Sequence, residues 1–285
     1  MIADWLTNKV YLAGKLKLDN TKTCRDIEKV LKFFNCEYDF LPNTRDIWAR
    51  DFMPIQVSHD KFVEYRYDPD YLQGTTLASR EIKTYPDIVC DAIGLKTTKS
   101  DIILDGGNVV KSSNAVILTD KILEENKYHY KKKQLLDKLK EVFEVDKVVL
   151  IPWDYECEFG HSDGMLRFIN ENTVLISGFY EFADLELKEQ MLKSFKKAKL
   201  EWEWLRCSEK EENEQNIAYI NFLQTKDLII IPKLNVKKTD NLAFEQISEY
   251  YTDYAKNKRI AQVDMSEIIK YGGALNCISW TIKEK

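Results

Sequence analysis

Four predicted β-hairpins recur at nearly even spacing along this 285-residue chain. Each has two apolar, β-branched runs on either side of a short polar turn. The turns lie near Asp60, Ser113, Glu171 and Lys226, about 55 residues apart. Segments with helical periodicity, such as FADLELKEQMLKSFKKAKL, separate the hairpins, and most are followed by a short strand. The chain is therefore predicted to repeat a ββαβ unit.

The fifth hairpin is divided between the two ends of the chain. One strand, LNCISWTI (275–282), stands where the fifth hairpin is expected, and an orphan strand, NKVYLAG (8–14), lies near the N-terminus. Pairing these strands would close the units into a ring and remove exposed sheet edges. We therefore predict an α/β fold in which residues 1–285 form a single domain, a pseudo-fivefold ring of ββαβ units. The periodicity by itself is equally compatible with an open array.

Composition argues against several classes of function. Hydrophobic residues make up 44% and charged residues 31% of the chain, as in globular proteins. Neither an apolar run of membrane-spanning length nor the pattern of a signal peptide is present, so we expect a cytoplasmic protein that does not bind membranes. The single basic run, KYHYKKK (127–133), gives little support to nucleic-acid binding. The net charge of −5 favours a cationic small molecule as partner.

In a closed ring, equivalent positions of the units face a common axis. The residues expected there, on the first strand of each hairpin, are Asp51, Asp105, His161, roughly Asn216, and Cys277. Asp163 has the same strand parity as His161 and should point the same way. Each residue alone also has an ordinary explanation, as a turn residue, a surface ion-pair partner or core packing. Their combination at one axis is what indicates a site.

The residue types at this axis suit one kind of reaction. An imidazole beside a thiol increases the thiolate fraction, and the thiolate is a nucleophile. Two or three carboxylates suit a guanidinium, which they can bind in a bidentate manner. Attack of a thiolate on a carbon bonded to three nitrogens is the chemistry of guanidine hydrolysis. No Cys/His cluster has the spacing of zinc ligands, so no metal is expected.

Five segments, spread in order over almost the whole chain, carry family-specific motifs. They are DIWARDFMP (46–54), LDGGNVV (104–110), GHSDGMLRFI (160–169), AYINFLQTKDLIIIP (218–232) and GGALNCISW (272–280). Together they resemble the guanidine-modifying superfamily, which has the pentein fold, a five-bladed α/β propeller. The closest resemblance is to the agmatine deiminase and bacterial-type peptidylarginine deiminase family.

The resemblance implies a role for each matching residue. Cys277 would be the nucleophile and His161 the general acid and base, while Asp51 and Asp163 would bind the guanidinium nitrogens. Trp48 would form a wall of the substrate channel, although a tryptophan there could also be part of the core. The implied reaction is hydrolysis of agmatine or a related small guanidine to a ureido product and ammonia. It would proceed through a covalent thiouronium on Cys277, without a metal or organic cofactor.

Two positions depart from the family pattern. Asp105 stands where the motif usually has glutamate, so the residue implied to orient His161 is one methylene shorter. Asn276 replaces the histidine that commonly precedes the nucleophile. The chain is also shorter than typical agmatine deiminases.

Several alternatives remain open from the sequence. Within the superfamily, the chain could be a peptidyl or free arginine deiminase, or an amidinotransferase that passes the amidino group to an amine. A pentein ring used only for binding is a further alternative, and so is a catalytically impaired relative. Neither the identity of the guanidine nor the oligomeric state, a homo-oligomer included, can be read from the sequence.

Overall fold

The computed structural model describes residues 1–74, 80–182, 184–207 and 218–285. These residues form five three-stranded sheets, each with the same internal order. The middle strand of each sheet pairs antiparallel with the first strand and parallel with the third. The ββαβ repeat predicted from the hairpin spacing is therefore confirmed.

The strand bounds show the repeat directly. The first strands are Ile55–Gln56, Val110–Lys111, Leu166–Phe168, Leu223–Gln224 and Ser279–Ile282. The middle strands, in the same order of units, are Phe62–Arg66, Ala115–Thr119, Thr173–Ser177, Ile229–Lys233 and Lys9–Ala13. The third strands are Thr98–Ile103, Lys147–Ile151, Glu201–Leu205, Ile260–Asp264 and Glu37–Leu41.

The fifth sheet joins the two ends of the chain, as predicted. Lys9–Ala13 pairs antiparallel with Ser279–Ile282, with Tyr11 opposite Trp280. The Trp280 indole N–H donates to the Pro54 carbonyl of the first unit at 2.8 Å. The terminal strands therefore complete one sheet and bind it to its neighbour, so that the ring has no gap between its first and last units.

Helices connect the middle strand of each unit to the third strand. Their bounds are Leu16–Asp19, Thr21–Phe33, Pro86–Ala92, Lys121–Glu125, Lys132–Phe143, Phe179–Phe182, Leu185–Ala198, Lys237–Tyr250 and Thr252–Lys256. The longer ones bury an apolar stripe at a spacing of three or four residues, for example Leu135, Leu139 and Phe143. Among the helices described, none is long and apolar enough to cross a membrane.

The middle strands are buried over at least four of their five residues. Ala115–Thr119 is buried along its whole length because each middle strand has a neighbour on both sides. Apolar side chains of these strands pack with those of the helices in four clusters that follow the ring. The core thus holds the inner ends of the units in fixed positions.

A short helical turn precedes the first strand of every unit. These turns are Ala49–Phe52, Gly106–Asn108, Ser162–Gly164, 218–220 and 275–278. The prediction that the axial residues lie on the first strands is wrong, because Asp51 and Cys277 lie within these turns and Asp105 and His161 immediately before them. The first strands are too short to reach these positions. Asn216 lies outside the described residues.

Candidate active site

The last of these turns is shaped by two glycines. Gly272 has φ +85°, a left-handed conformation that favours glycine. A Cβ on Gly273 would lie 2.4 Å from the indole of Trp48, so no larger residue fits. The Arg50 backbone N–H donates to the Cys277 carbonyl at 3.0 Å. The turn is thereby fixed against the first unit, with Cys277 at its inner side.

Cys277 is almost fully buried and faces a carboxylate. Its Sγ lies 3.6 Å from Oδ2 of Asp163, and its backbone N–H donates to Oδ1 of Asn221 at 3.2 Å. Burial and the charges of Asp163 and Asp51 raise the pKa of the Cys277 thiol well above its ordinary value. The resting site therefore holds a thiol, and a bound cation would favour the thiolate.

His161 lies between two carboxylates. Its Nε2 is 3.0 Å from Oδ2 of Asp105, and its Nδ1 is 3.7 Å from Oδ1 of Asp51. Because an ionised carboxylate can only accept, the hydrogen on Nε2 is assigned to the bond with Asp105. Burial opposes the charged imidazole, but the Asp51 charge and the hydrogen bond to Asp105 raise the pKa of His161 to about 10. The imidazole is thus a proton donor at neutral pH.

Asp51 is held against His161 by a glycine. The Gly107 backbone N–H donates to Oδ1 of Asp51 at 3.1 Å. A Cβ on Gly107 would lie 2.5 Å from both this oxygen and Nδ1 of His161, which explains the glycine in the turn. Burial raises the pKa of Asp51 to about 8; the positive charge of His161 opposes this shift, and the negative charge of Asp163 adds to it.

Asp163 contacts the nucleophile turn from the opposite side. Asn276 donates its side-chain N–H to Oδ2 of Asp163 at 2.6 Å. The same oxygen is the one that lies 3.6 Å from Sγ of Cys277. Asn276, which replaces the expected histidine, therefore orients the carboxylate next to the nucleophile.

These side chains lie at a cavity of about 540 Å³. His161, Asp163 and Cys277 are part of its lining. Asp51 and Asp105 contact the imidazole but are not among the described residues that line the cavity. Tyr180, Phe179 and Met165 contribute apolar surface. The remaining polar lining includes the acidic residues Asp154, Glu156 and Glu158, together with Lys270. The cavity is large enough for a small, elongated molecule.

The structure brings five of the six predicted site residues into direct contact with at least one other member. Asp51, Asp105 and His161 form one connected group, and Asp163 and Cys277 form the other. Both His161 and Asp163 face the site, although a short helical turn, not strand parity, places them there.

Trp48 stands apart from this group. It contacts Gly273 next to the nucleophile turn and packs partly buried against an apolar cluster. Among the described residues that line the cavity, Trp48 is absent, and its role as a channel wall stays a prediction.

Sequence reasoning missed three contributors to the site. Asn221 accepts hydrogen bonds from the backbone of Asn276 and Cys277, and its signal was the asparagine of AYINF. Tyr71 donates to Asp105 at 3.0 Å, and nothing in its sequence context indicated this contact. The third contributor is a set of acidic residues shortly before His161 that line the cavity: Asp154, Glu156 and Glu158.

Comparison with known proteins identifies the fold. The chain superposes on agmatine deiminase of C. jejuni with a TM-score of 0.76 at 19% identity, covering 100% of this chain and 95% of that one. Agmatine deiminase of Enterococcus faecalis gives 0.75 at 18%, with 100% and 95% covered. DDAH from Pseudomonas aeruginosa gives 0.55 at 12%, with 97% and 99% covered. The predicted five-bladed α/β propeller, the pentein fold, is thereby confirmed.

Sequence comparison adds the family. No curated protein matches the chain significantly. The family model of Porphyromonas-type peptidyl-arginine deiminases matches residues 9–282. Because this match extends over nearly the whole ring, the chain belongs to the Porphyromonas-type peptidyl-arginine deiminase family.

Proposed function

We propose that this protein is a deiminase that hydrolyses a small cationic guanidine, with agmatine as the best candidate. One observation carries the proposal. A buried thiol, an imidazole and a carboxylate (Cys277, His161 and Asp163) line one cavity, and a second carboxylate, Asp51, lies 3.7 Å from the imidazole. Membership of a deiminase family agrees with this chemistry.

The carboxylates would bind the guanidinium. Asp163 lines the cavity next to Cys277, and Oδ1 of Asp51 lies 3.7 Å from Nδ1 of His161, which also lines it. A planar guanidinium presents N–H donors in several directions, so two carboxylates can hold it with its carbon facing the sulfur. The bound cation would compensate the negative charges that raise the pKa of Cys277. Substrate binding would then release the thiol proton to solvent and leave a thiolate.

The first chemical step forms a covalent intermediate. The Cys277 thiolate forms a bond to the guanidinium carbon, which becomes tetrahedral and neutral. His161, protonated at neutral pH, gives a proton to one amino group, and the C–N bond breaks with release of ammonia. The product on the enzyme is a positively charged thiouronium, and the imidazole is neutral.

The second step releases the ureido product. Water attacks the same carbon and transfers a proton to the neutral imidazole of His161. The C–S bond then breaks, and the sulfur takes up the remaining proton from the product. The imidazolium and thiol of the resting site are restored, so one water is consumed for each ammonia formed.

The lining of the cavity favours a substrate with a second positive charge. Outside the group around His161, it includes the carboxylates of Asp154, Glu156 and Glu158, and Lys270 is the one lysine among the described lining residues. Such a surface attracts an ammonium and repels a carboxylate. Agmatine carries an amine at the end opposite its guanidine, whereas free arginine carries a carboxylate there. We therefore expect agmatine to be preferred to arginine.

A panel of guanidines tests the proposal. The protein is incubated with agmatine, arginine and a peptide with C-terminal arginine, and ammonia and ureido products are measured together. We expect both products from agmatine in equal amounts and little from arginine. Ureido product from the peptide would reassign the substrate, and transfer of the amidino group to an added amine would indicate an amidinotransferase. No turnover of any member would contradict the proposed activity.

The nucleophile is tested by substitution. We expect Cys277→Ala to lose turnover by at least about 10⁴-fold, since the covalent route is removed. Cys36→Ser is a control that alters a thiol outside the cavity lining, and we expect it to keep wild-type turnover. Activity that survives Cys277→Ala would rule out the covalent mechanism. A mass increase at Cys277 after rapid acid quenching with agmatine would support the thiouronium directly.

A further inference from the structure

One oxygen of Asp105 receives two hydrogen bonds from different parts of the chain. The hydroxyl of Tyr71 donates to Oδ2 at 3.0 Å, and Nε2 of His161 donates to the same oxygen at 3.0 Å. Asp105 is 2% exposed, and its other oxygen, Oδ1, is buried and has no partner among the residues described. The orientation of this carboxylate therefore depends on the tyrosine as well as on the histidine.

Tyr71 is itself fixed in place. It lies in a short 3₁₀ turn of the first unit, Asp70–Leu72, and its ring packs edge-on against Phe159 at 5.1 Å and 89°. The Lys121 ammonium lies 5.2 Å from the centre of the same ring. That ammonium also donates to the Phe159 carbonyl at 3.1 Å and to Oδ1 of Asp70 at 3.0 Å. The ring is thus held from both sides, and its hydroxyl has a defined direction.

The hydrogen bond from Tyr71 is made to a residue that departs from the family motif. Asp105 stands where the motif it resembles usually has glutamate, so its carboxylate is attached by one methylene fewer. A hydrogen bond donated to a charged oxygen takes up part of the negative charge that this oxygen presents to its other partner, here the imidazole of His161. The Tyr71 hydroxyl lies within hydrogen-bonding distance of that carboxylate.

We propose that Tyr71 is a positioning residue for the reaction, a role that rests on the proposed deiminase function. Its hydroxyl holds the short carboxylate of Asp105 on Nε2 of His161 and shares the negative charge of that oxygen. Nε2 is thereby kept on Asp105, so that Nδ1, 3.7 Å from Oδ1 of Asp51, is the nitrogen left to exchange protons with substrate and water. Tyr71 does not touch the reacting atoms; it acts through Asp105 and His161.

The proposal has a consequence for the protonation of His161. The titratable groups that act on the imidazole are Asp51, Asp105, Asp163 and Glu125, and the ring of Tyr71 lies 6.4 Å from it. Of these groups, only Tyr71 donates a hydrogen bond to the oxygen that binds Nε2. Without the hydroxyl, more of the negative charge on Oδ2 of Asp105 acts on the imidazolium of His161 and stabilises it. The imidazolium then becomes a weaker acid towards the leaving ammonia.

The central test is Tyr71→Phe, which removes one oxygen and keeps the ring against Phe159. We expect kcat for agmatine to fall about tenfold or more, with KM nearly unchanged, since a hydrogen bond to a charged group is lost away from the substrate. The alkaline limb of the pH–rate profile should move to higher pH. Tyr128→Phe, at a tyrosine that is 86% exposed, is the matched control and should resemble the wild type.

A second measurement does not depend on activity. The chain has three histidines, so NMR of labelled imidazoles can follow His161 separately from the other two. We expect the His161 titration to shift to higher pH in Tyr71→Phe and to stay unchanged in Tyr128→Phe. This readout still decides the proposal if the wild-type protein turns over no guanidine. Failure of the positioning role and failure of the deiminase function are therefore distinguishable.

A double variant tests the link to side-chain length. In Tyr71→Phe/Asp105→Glu, the longer carboxylate can occupy the space left by the hydroxyl, and we expect kcat to recover relative to Tyr71→Phe alone. A double variant that is no better than Tyr71→Phe would contradict the compensation. A His161 titration that is unshifted, or shifted to lower pH, in Tyr71→Phe would overturn the proposal, whether or not kcat falls, because a fall in kcat alone indicates only a structural role.

Discussion

At the scale of single residues, the surroundings of the site disfavour the ionised form of Asp51 and favour the protonated form of His161. Burial raises the pKa of Asp51 to about 8, while two neighbouring carboxylates raise the pKa of His161 to about 10 despite its burial. Asp51 binds a cation only when ionised, and His161 gives a proton only when charged. We therefore expect kcat/KM to have its maximum between pH of about 8 and about 10.

Asp51→Asn distinguishes the role of this carboxylate in substrate binding from its effect on the stability of the folded protein. The folded state raises the pKa of Asp51 from 3.8 to about 8, so the contribution of this group to stability is lost as the pH rises through that window. An asparagine carries no such cost and can still accept from Gly107. We expect the variant to melt about 3 °C higher or more at pH 9, with a smaller gain at pH 5. We expect kcat/KM to fall at least about tenfold.

The measurements for this variant are thermal unfolding at several pH values and steady-state kinetics. Asp60→Asn, at an exposed aspartate outside the site, is the control and should change neither. A variant that is less stable than the wild type at pH 9 would show that the attraction between Asp51 and His161 outweighs the burial of the carboxylate.

At the scale of elements, the chemistry sits on the short turns that precede the first strands. Strands would direct alternate side chains to opposite faces, whereas a tight turn can present a backbone N–H and a side chain to the same point. Gly107 illustrates this, since its N–H binds Asp51 while its missing side chain leaves space for His161. The reacting groups therefore lie in these turns or directly before them, and Gly107 of one turn donates to Asp51 of another.

Gly107→Ala tests the close packing of these turns. The added methyl group would lie 2.5 Å from Oδ1 of Asp51 and from Nδ1 of His161, so these groups must separate. We expect kcat/KM to fall about 100-fold, as for other small misplacements of catalytic groups. Gly164→Ala is the comparison, because Gly164 also lines the cavity but an added Cβ there has nothing within 4 Å.

Steady-state kinetics and thermal unfolding of both glycine variants check this expectation. We expect Gly164→Ala to fold normally and to lose much less activity than Gly107→Ala. Equal losses in the two variants would contradict the special importance of the close contacts of Gly107 with Asp51 and His161.

At the scale of the whole molecule, a buried ion group joins the N-terminal segment to two other units. Asp4 accepts from the Lys111 ammonium and from the Arg167 guanidinium, each at 2.7 Å, and all three side chains are buried. Lys111 lies on the first strand of the second unit and Arg167 on that of the third. The segment thus neutralises cations that would otherwise repel each other.

Asp4→Asn removes the anion from this group. We expect the free energy of unfolding to fall by about 3–5 kcal/mol, the usual consequence of leaving buried charges unpaired. Burial opposes ionisation of Asp4, but Lys111 and Arg167 outweigh it and lower its pKa. The carboxylate therefore stabilises the protein at neutral pH, and this contribution is lost as the pH falls through the lowered value.

Denaturant unfolding at pH 7 and near pH 3 measures this effect. The difference between the wild type and Asp4→Asn should be largest at pH 7. Asp26→Asn breaks the exposed ion pair with Lys29 and should cost less than about 1 kcal/mol. Equal effects of the two substitutions would show that the buried group contributes no more than a surface pair.

The sequence by itself determined the architecture of this protein. Turn residues and alternating apolar runs are local signals, and their spacing of about 55 residues was sufficient to predict the ββαβ unit. The pairing of 8–14 with 275–282 followed from counting strands, since one was left over at each end. The site residues Asp51, Asp105, His161 and Cys277 followed because a repeat makes distant positions equivalent.

Only the tertiary structure decided how these groups are held. Tyr71 comes from a connector outside the repeated positions, so no periodicity could assign it to Asp105. The role of Asn276 follows only from the structure, in which its side chain donates to Asp163. Local sequence sets which backbone conformations form, whereas hydrogen-bond partners and pKa values depend on which segments meet. The contacts between these segments form only when the ring closes and buries all five turns around one axis.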